Sequence, residues 1–202
     1  MNIPMVVEQN GNAYDIYSRL LKERILFINQ PITNEFSNII IAEILMLQSE
    51  DKEKAIHIYI NSPGGSATGM LAIYDVIQIA KPKICTYCVG EACSAAAVLL
   101  AAGTHGSRFS LPNSRIMIHQ PAGEVNGTAS DIKIQAEEIL YLKSKVNGIL
   151  SFHCGKTSDE VSSDTERDKF MSPEEAKAYG SKGIIDKVIG FLIPKVGEVP
   201  KT

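Results

Sequence analysis

A regular alternation of strand and helix patterns between residues 55 and 102 is the feature that most constrains the fold. Ala55–Ile60 is rich in isoleucine and Lys83–Val89 is similarly apolar, so both are typical of strands. Ala67–Ala80 has helical periodicity, and Ser94–Ala102 follows as a helix of small and apolar residues that we expect to be buried on all sides. Strands that alternate with crossover helices predict an α/β fold with right-handed connections.

The rest of the chain continues this pattern. Periodicity predicts helices over residues 15–24, 34–47 and 130–153, and short strands at residues 25–28, 108–110, 115–118 and 184–188. Ser172-Pro-Glu-Glu175 has the residues of a capping box that begins a helix, and Gly180 is the matching stop signal. The helix over residues 130–153 carries one apolar stripe, made of Ile132, Ala136, Ile139, Leu140, Val146 and Leu150.

The composition limits the classes of partner. With 202 residues, a net charge of −3 and 45% hydrophobic residues, the chain suits one domain with a substantial core and has no basic footprint for nucleic acid. Its longest small and apolar run, Ala95–Ala102, is shorter than the roughly 18 residues of a membrane span. Met1–Gln9 lacks a basic region followed by an apolar one, so we expect no secretory signal. We expect neither a nucleic-acid nor a membrane partner, and a location in the cytoplasm or, if a transit segment has been removed, in an organelle matrix.

The cysteines are expected to be buried structural thiols in a reducing compartment. Cys85 and Cys88 have the C-x-x-C spacing, but side chains three apart on a strand point to opposite faces and do not easily share a metal or a disulfide. A redox or metal role for Cys85 and Cys88 is the alternative. Gly155-Lys156-Thr157 resembles the end of a phosphate-binding loop, but Leu150 stands where the first glycine is required. We therefore expect no ATP site, no cofactor and no metal.

A nucleophile and a base are available at two predicted junctions. Ser94 opens the small-residue helix, and His119 follows the strand at residues 115–118. A neutral serine needs a base within hydrogen-bonding reach, and that base needs an orienting acid. Asp164, Glu166 and Asp168 are equally plausible orienting acids on chemical grounds. The remaining histidines, in a strand, a loop beside glycine and a helix end, are weaker candidates for the base: His57, His105 and His153.

Backbone donors for an oxyanion are predicted beside this serine. Gly64 and Gly65 follow a buried strand and lead into a helix, and glycine lets backbone N–H groups approach a ligand closely. The N–H of Ala95, the residue after the serine, is a natural second donor. Together these features predict a hydrolase.

Long motifs in the chain resemble the ClpP family, the proteolytic subunits of Clp proteases. The resemblance runs from about Met5 to Ile189 and is carried by Asp15–Arg24, Tyr59–Gly65, Ser94, Leu111–Pro121 and Asp164–Asp168. It implies a ClpP/crotonase-like α/β fold, a superhelix of repeated β-β-α units in a single domain over residues 1–202, with a protruding long helix for contact between rings. It also implies a serine endopeptidase that degrades unfolded proteins to short peptides.

The resemblance assigns roles to individual residues. By position, Ser94 matches the family nucleophile, His119 the base and Asp168 the third member, so Asp168 is preferred to Asp164 by resemblance. The matching oxyanion donors are the N–H groups of Gly65 and Ala95. The family usually has methionine after the serine, so Ala95 implies a pocket beside the nucleophile that is wider or differently shaped.

The resemblance also implies an assembly of two stacked heptameric rings, as a homo-oligomer or mixed with a paralogue. Residues 124–154 match the equatorial handle, 1–14 the axial segment and 190–202 a C-terminal tail; Glu166 and Arg167 match positions that pair across the ring interface. An AAA+ unfoldase such as ClpX, ClpA or ClpC would dock on the outer ring face and feed unfolded polypeptides. The family's docking pocket maps onto four residues that could otherwise be ordinary core: Tyr59, Tyr87, Val89 and Phe109.

Further differences and rival functions remain open at this point. The segment Glu8–Asp15 is shorter than in the best-known members, so the family's axial hairpin is an open expectation, and Gly180–Gly183 carries extra residues. The rivals are a non-catalytic or weakly active paralogous subunit of a mixed ring, a crotonase-like acyl-CoA enzyme with the same type of oxyanion site, and a redox protein.

Overall fold

A parallel sheet organises the chain, whose computed structural model describes residues 3–9, 11–123 and 125–190. The strands are Met5–Val7 (β1), Ala13–Asp15 (β2), Ile25–Ile28 (β3), Ile56–Ser62 (β4), Ile84–Cys93 (β5), Arg108–Ser110 (β6), Arg115–Ile118 (β7), Lys169–Met171 (β8) and Lys187–Val188 (β9). The helices are Ile16–Leu21 (α1), Asn34–Glu50 (α2), Ala67–Ile79 (α3), Ala95–Ala101 (α4), Ala129–Cys154 (α5), Ser158–Asp164 (α6) and Pro173–Lys177 (α7).

The main sheet has the order β3-β4-β5-β6-β9, with each neighbouring pair parallel. The long strand β5 serves two partners besides β4. Its residues Thr86–Cys88 pair with β6, whereas Glu91–Cys93 pair in parallel with β7, which in turn pairs antiparallel with β8. The predicted α/β class is therefore confirmed, and the branch at β5 carries the chain toward β7 and β8.

The core is built around α4. All seven residues of this helix are buried, as its small side chains predict, and it contacts β4, β5, β7, α3 and α5. Small residues let the surrounding backbones approach closely, and isoleucines of the sheet and of the flanking helices complete the cluster. The position of Ser94, which opens α4, is thereby fixed by a helix that is packed on all sides.

The long helix α5 is buried only over its second half. Its inward residues there include Val146, Asn147 and Leu150. The first half is exposed, and it presents the apolar side chains Ile132, Ile134, Leu140 and Tyr141 to solvent. The predicted apolar stripe is thus only partly covered by the chain itself.

The N-terminal segment forms a small antiparallel sheet that the periodicity did not predict. Strand β1 pairs with β2, Met5 with Asp15 and Val7 with Ala13. The helix predicted over residues 15–24 is shorter, because Asp15 caps α1 and Arg24 turns into a left-handed conformation with φ 63°. The helix does not continue through Arg24, whose guanidinium donates to the Leu47 carbonyl near the end of α2.

The C-terminal half differs from the prediction in two further places. The charged run that begins at Asp164 starts at the last residue of α6, a helix that was not predicted and whose capping box is formed by Thr157 and Glu160. The final strand comprises only Lys187–Val188 rather than residues 184–188. Ile184 and Ile185 are fully buried, so they serve as core residues before the strand begins.

The four cysteines are as the sequence predicts. Cys85, Cys88, Cys93 and Cys154 are all free and buried, which confirms the interpretation of structural thiols.

Among the residues that the structure describes, no helix has the length and apolar character to cross a membrane. Residues 1, 2 and 10 of the predicted axial segment, residue 124 of the predicted handle and residues 191–202 of the predicted tail lie outside the described residues.

Candidate active site

Three parallel strands end at one edge of the sheet, and each delivers part of the site. Strand β4 leads into Gly64 and Gly65, β5 into Ser94, and β7 into His119. Ligands in open α/β sheets bind outside the carboxyl ends of the strands, at such an edge. The crossovers through α3 and α4 therefore bring together residues that are far apart in the sequence.

Ser94 lies in a strained turn between β5 and α4. Its φ of 55° and ψ of −122° make it one of two non-glycine residues with positive φ among the described residues. The Ser94 N–H donates to the Met117 carbonyl at 2.7 Å, and its side chain does not cap the helix. Strain of this kind persists only where the surroundings enforce it, and a sharp strand-to-helix turn exposes the hydroxyl of a nucleophile.

His119 joins Ser94 to Asp168. Its Nε2 lies 2.8 Å from Ser94 Oγ, and its Nδ1 lies 3.2 Å from Asp168 Oδ1. A proton on Nδ1, facing the carboxylate, would leave Nε2 free to accept the hydroxyl proton. The three side chains therefore form a series from Ser94 through His119 to Asp168, in which the first contact is a hydrogen bond and the second has ion-pair distance.

The choice among the three acids follows from strand pairing. Asp168 immediately precedes β8, whose Lys169 pairs with Ile118 at the end of β7, so Asp168 lies beside His119. Asp164 is instead bound by Lys156 and Lys169. Burial opposes the ionisation of Asp164, but these hydrogen bonds prevail and lower the pKa of its carboxyl to about 2. Glu166 is paired with Lys143, whose hydrogen bond lowers the pKa of Glu166.

The predicted oxyanion donors lie around the serine. A Cβ placed on Gly64 would be 2.6 Å from the Cys93 carbonyl oxygen and 2.8 Å from Ser94 Cβ, so only glycine fits there. Gly65, with φ 146°, packs equally closely on Ile32. Ala95 is the first residue of α4, where an N–H has no acceptor within the helix.

A cavity of about 400 Å³ opens beside Ser94 and His119. Gly65 and Ala95 line it together with the two catalytic candidates. Apart from His119, no ionisable side chain belongs to its lining within the described part of the chain. Most of the other lining residues are apolar: Pro63, Ala67, Met70, Val98, Met117, Ile118, Pro121, Ala122, Val146 and Leu150.

The other histidines and the adjacent thiol do not enter the site. The His57 ring lies 2.9 Å from the Tyr87 hydroxyl, His153 lies 3.1 Å from the Tyr74 hydroxyl, and His105 is exposed near Asp186. Burial lowers the pKa of His153 to about 4. Cys93, beside the serine, is buried, and burial followed by the Glu91 carboxylate raises the pKa of its thiol to about 11. The Cys93 thiol therefore stays protonated near neutral pH.

Tyr59, Tyr87, Val89 and Phe109 are half-buried on one face of the sheet. The Tyr87 ring stacks between Tyr59, at 4.6 Å between centroids, and Phe109, at 5.0 Å. These residues are thus a partly exposed patch of three aromatic rings and one valine, and not interior core.

Glu166 and Arg167 are both exposed beside the site. Glu166 bonds Lys143 of its own chain, with Glu166 Oε2 at 3.0 Å from Lys143 Nζ. The guanidinium of Arg167 makes no hydrogen bond or ion pair within the described residues, although its charge helps to lower the pKa of Glu166, after the larger effect of Lys143.

Two neighbours of the site, Gln120 and Lys143, were not predicted from the sequence. Gln120 directly follows His119, and Lys143 lies on α5; the amide oxygen of Gln120 accepts from Lys143 Nζ at 2.7 Å. No periodicity or spacing signal marks a contact between a loop and a helix 23 residues away.

The parallel sheet, the strained serine and its contact with histidine define an α/β protein with the arrangement typical of serine hydrolases. A family model described as Clp protease matches residues 8–191, and the chain therefore belongs to the Clp protease family. The resemblance derived from the motifs is thereby confirmed. Members of this family are oligomeric proteases that work with Clp ATPases. No group of three or more His, Cys, Asp or Glu side chains able to hold a metal occurs among the described residues.

Proposed function

We propose that the protein is a serine endopeptidase subunit that cleaves unfolded polypeptides into short peptides. The supporting observation is the pair of contacts made by His119, at 2.8 Å to Ser94 Oγ and 3.2 Å to Asp168 Oδ1, at the mouth of an apolar cavity. A crotonase-like acyl-CoA enzyme would not need this set of three side chains, and the four buried thiols do not support a redox protein.

The proposed reaction begins at the serine hydroxyl. The proton of Ser94 Oγ passes to His119 Nε2 while Oγ attacks the carbonyl carbon of the peptide bond. The N–H groups of Gly65 and Ala95 stabilise the resulting oxyanion, and one such donor is worth about 3 kcal/mol. His119 then returns the proton to the departing amine, which leaves an ester on Ser94.

Water completes the cycle. His119 removes a proton from water as the oxygen attacks the ester carbonyl, and the same proton returns to Ser94 Oγ when the C–O bond breaks. Asp168 holds the imidazole in the required tautomer and stabilises its charged form throughout. The apolar cavity beside Ser94 would receive an uncharged side chain of the substrate.

A covalent probe tests this proposal. We expect a fluorophosphonate to label the wild-type protein and the Ser49→Ala control, whose serine is exposed on α2, but not Ser94→Ala. Peptide hydrolysis should disappear only in Ser94→Ala. If Ser94→Ala keeps its peptidase activity, the proposal is wrong. If the wild-type chain is not labelled but still joins active rings made by a paralogue, it is the non-catalytic subunit.

We also propose an assembly of two stacked heptameric rings in which the first half of α5 joins the rings. The exposed apolar side chains of α5 and the exposed Arg167 support this arrangement, since both would be covered by a second ring. Arg167→Ala is expected to give single rings with weak activity. Native mass measurement should show a halved assembly, and intact double rings in Arg167→Ala would contradict the role.

We propose that the patch formed by Tyr59, Tyr87, Val89 and Phe109 is the docking site for an AAA+ unfoldase. Half-buried stacked rings on a sheet face are the type of surface that a hydrophobic loop recognises. Tyr87→Ala should abolish ATP-dependent degradation of folded proteins but leave short-peptide hydrolysis unchanged. We propose a cytoplasmic location, which the free thiols support.

A further inference from the structure

A second cavity, of about 510 Å³, opens at the opposite end of α3 and α4 from the nucleophile. Both helices begin at the active site, after Gly65 and Ser94, and both end at this cavity, which also touches the end of α5. It shares no lining residue with the cavity beside Ser94. A cavity of this volume suits one small molecule. It is therefore a candidate binding site separate from the catalytic one.

The buried part of the cavity lining is apolar. Ile77, Pro82, Ala102 and Gly103 are buried there, whereas Phe152 is 65% exposed at the end of α5. Most binding sites for small molecules combine such an apolar wall with a few polar groups that orient the ligand. An alkyl chain could pack against the buried side chains with the Phe152 ring over it.

The exposed part of the lining carries positive charge. Lys182 and His105 are exposed there, and no carboxylate lines the cavity within the described part of the chain. Lys182 forms no ion pair among the same residues. Its Nζ donates to the Phe152 carbonyl at 3.4 Å and lies 5.4 Å from the centre of the Phe152 ring. An ammonium group has three donors, so this long bond leaves Lys182 able to bind an anion.

The negative groups near the cavity are already compensated. Helix ends carry partial negative charge on their last carbonyls. Carbonyls at the ends of α4 and α5 accept from Arg108 Nη1 at 3.5 and 3.3 Å, and another after α4 accepts from Gln78 Nε2 at 3.0 Å. The nearby carboxylate of Asp186 is paired with Arg108 at 2.6 Å. The charge of Lys182 is therefore left for a ligand.

The backbone holds Lys182 beside the cavity. Lys182 belongs to Gly180–Gly183, the segment with extra residues relative to the family. Its N–H donates to the Cys154 carbonyl at 2.9 Å, and its carbonyl accepts from Arg108 Nη2 at 2.7 Å. Gly155 has φ 68°, and a Cβ there would lie 3.1 Å from Lys182 Cγ. The extra segment thus packs closely on the end of α5 and brings its lysine to the cavity.

We propose that this cavity binds an anionic amphiphile of the fatty-acid type, with its chain against Phe152 and the buried apolar side chains and its carboxylate on Lys182. One unpaired ammonium group suits one negative charge, and the apolar wall suits the chain. The site uses none of the residues of the proposed peptidase reaction, so it stands or falls independently of that function.

Isothermal titration calorimetry of the full chain with decanoate tests the proposal. We expect a Kd below about 1 mM, which is ordinary for a ligand of this size. Decylamine, with the same chain and the opposite charge, should bind at least about tenfold more weakly, and Lys182→Met should weaken decanoate binding by a similar factor. Lys182→Arg should keep most of the affinity. Phe152→Ala should weaken binding about 3- to 10-fold, because apolar contact is lost.

The controls locate the ligand. Lys52→Met, which removes an exposed lysine between α2 and β4, should bind decanoate as wild type does. Ala95→Met, which narrows the cavity beside Ser94, should also bind normally. A decanoate analogue with a diazirine on its chain should cross-link, after illumination, to peptides that contain Phe152 or residues 77–82. Mass spectrometry of the digested protein identifies these peptides.

Three results would overturn the proposal. Equal decanoate affinity in Lys182→Met and wild type would show that the cavity does not recognise an anion. Loss of binding in Ala95→Met, or cross-links confined to the peptide with Ser94, would place the ligand at the active site. Sedimentation of the protein with phosphatidylglycerol vesicles, without binding of decanoate in solution, would show that Lys182 and Phe152 recognise a lipid surface instead of a single amphiphile.

Discussion

Asp168 contacts His119 from the solvent side: its Oδ1 lies 3.2 Å from His119 Nδ1 while 57% of the Asp168 side chain remains exposed. In the serine proteases where the acid is buried, replacement by asparagine lowers kcat about 10⁴-fold. An exposed carboxylate is screened by water and contributes less. The contact should therefore contribute more by orienting the imidazole than by stabilising its positively charged form.

Asp168→Asn should accordingly lower kcat by only about 10²- to 10³-fold, with KM nearly unchanged. Steady-state hydrolysis of a short peptide measures this directly. Asp75→Asn, which changes an exposed carboxylate on α3, is the matched control and should have wild-type kinetics. A wild-type kcat in Asp168→Asn would mean that Asp168 does not orient the base.

The identity of the acid shows where sequence reasoning stops. Ser94 and His119 could be predicted because Ser94 opens a predicted helix and His119 follows a predicted strand, and such junctions converge at the strand ends of α/β sheets. Asp164, Glu166 and Asp168 lie within five residues, and nothing local separates them. The antiparallel pairing of β8 with β7, a contact between distant segments, selects Asp168.

The fold, too, could be predicted only where a local sequence pattern determines it. The strands and helices from β3 to α4 could be predicted from periodicity, because each of them carries a regular pattern of buried apolar residues. The pairing of β1 with β2 and the capping box of α6 rest on short polar segments with no periodic signal. The contact of Lys143 with Gln120 depends on how α5 packs after the chain has folded, so no local pattern could reveal it.

Gly64 can be tested as the residue that lets the β4 turn approach the nucleophile. In Gly64→Ala the new Cβ would lie 2.8 Å from Ser94 Cβ, and the residue would keep an unfavourable φ of 97°. We expect kcat to fall at least about 100-fold and the free energy of unfolding to fall by about 1–3 kcal/mol. Peptide hydrolysis and urea denaturation measure the two effects.

The control for this substitution is another glycine. Gly148 lies on α5, and a Cβ there would meet nothing within 4 Å. Gly148→Ala should therefore raise the free energy of unfolding by about 0.4–1 kcal/mol. Equal activity of Gly64→Ala and wild type would show that the turn can move away from Ser94 at no cost.

Ala95 sets the size of the apolar cavity beside the nucleophile. It is 5% exposed and lines the cavity together with Met70 and Val146. Ala95→Met would fill part of this space and should shift cleavage from bulky aromatic side chains to smaller aliphatic ones by about tenfold. Mass spectrometry of the peptides from an unfolded protein substrate measures the preference on both variants. An identical cleavage pattern would show that the cavity does not receive the side chain before the cleaved bond.

Arg108 and Asp186 form an ion pair inside the protein. Arg108 is 1% exposed; its Nη2 lies 2.6 Å from Asp186 Oδ1 and also donates to the Lys182 carbonyl, and its Nη1 donates to the Gly183 carbonyl. Arg108→Met leaves the largely buried Asp186 carboxylate unpaired and the two carbonyls without a donor. It should therefore lower the free energy of unfolding by about 3–5 kcal/mol. Arg19→Met, which breaks surface ion pairs with Glu8 and Glu23, should cost no more than about 1 kcal/mol for each pair. Urea denaturation of both variants measures these losses. Equal losses of unfolding free energy in Arg108→Met and Arg19→Met would show that burial does not make the Arg108 pair more important.

The ion pairs of Asp164 should make the stability of the protein depend on pH in the acid range. Its carboxyl is 18% exposed and bound by Lys156 and Lys169, which hold the pKa down at about 2 against an ordinary value of 3.8. A folded-state pKa below the unfolded one stabilises the protein above about pH 4, and this contribution, about 2 kcal/mol, is lost as the pH falls toward 2. Thermal unfolding between pH 5 and pH 2 should therefore show a smaller acid-induced drop for Asp164→Asn than for wild type. Parallel curves for the two proteins would show that the carboxylate gains nothing from its two lysines.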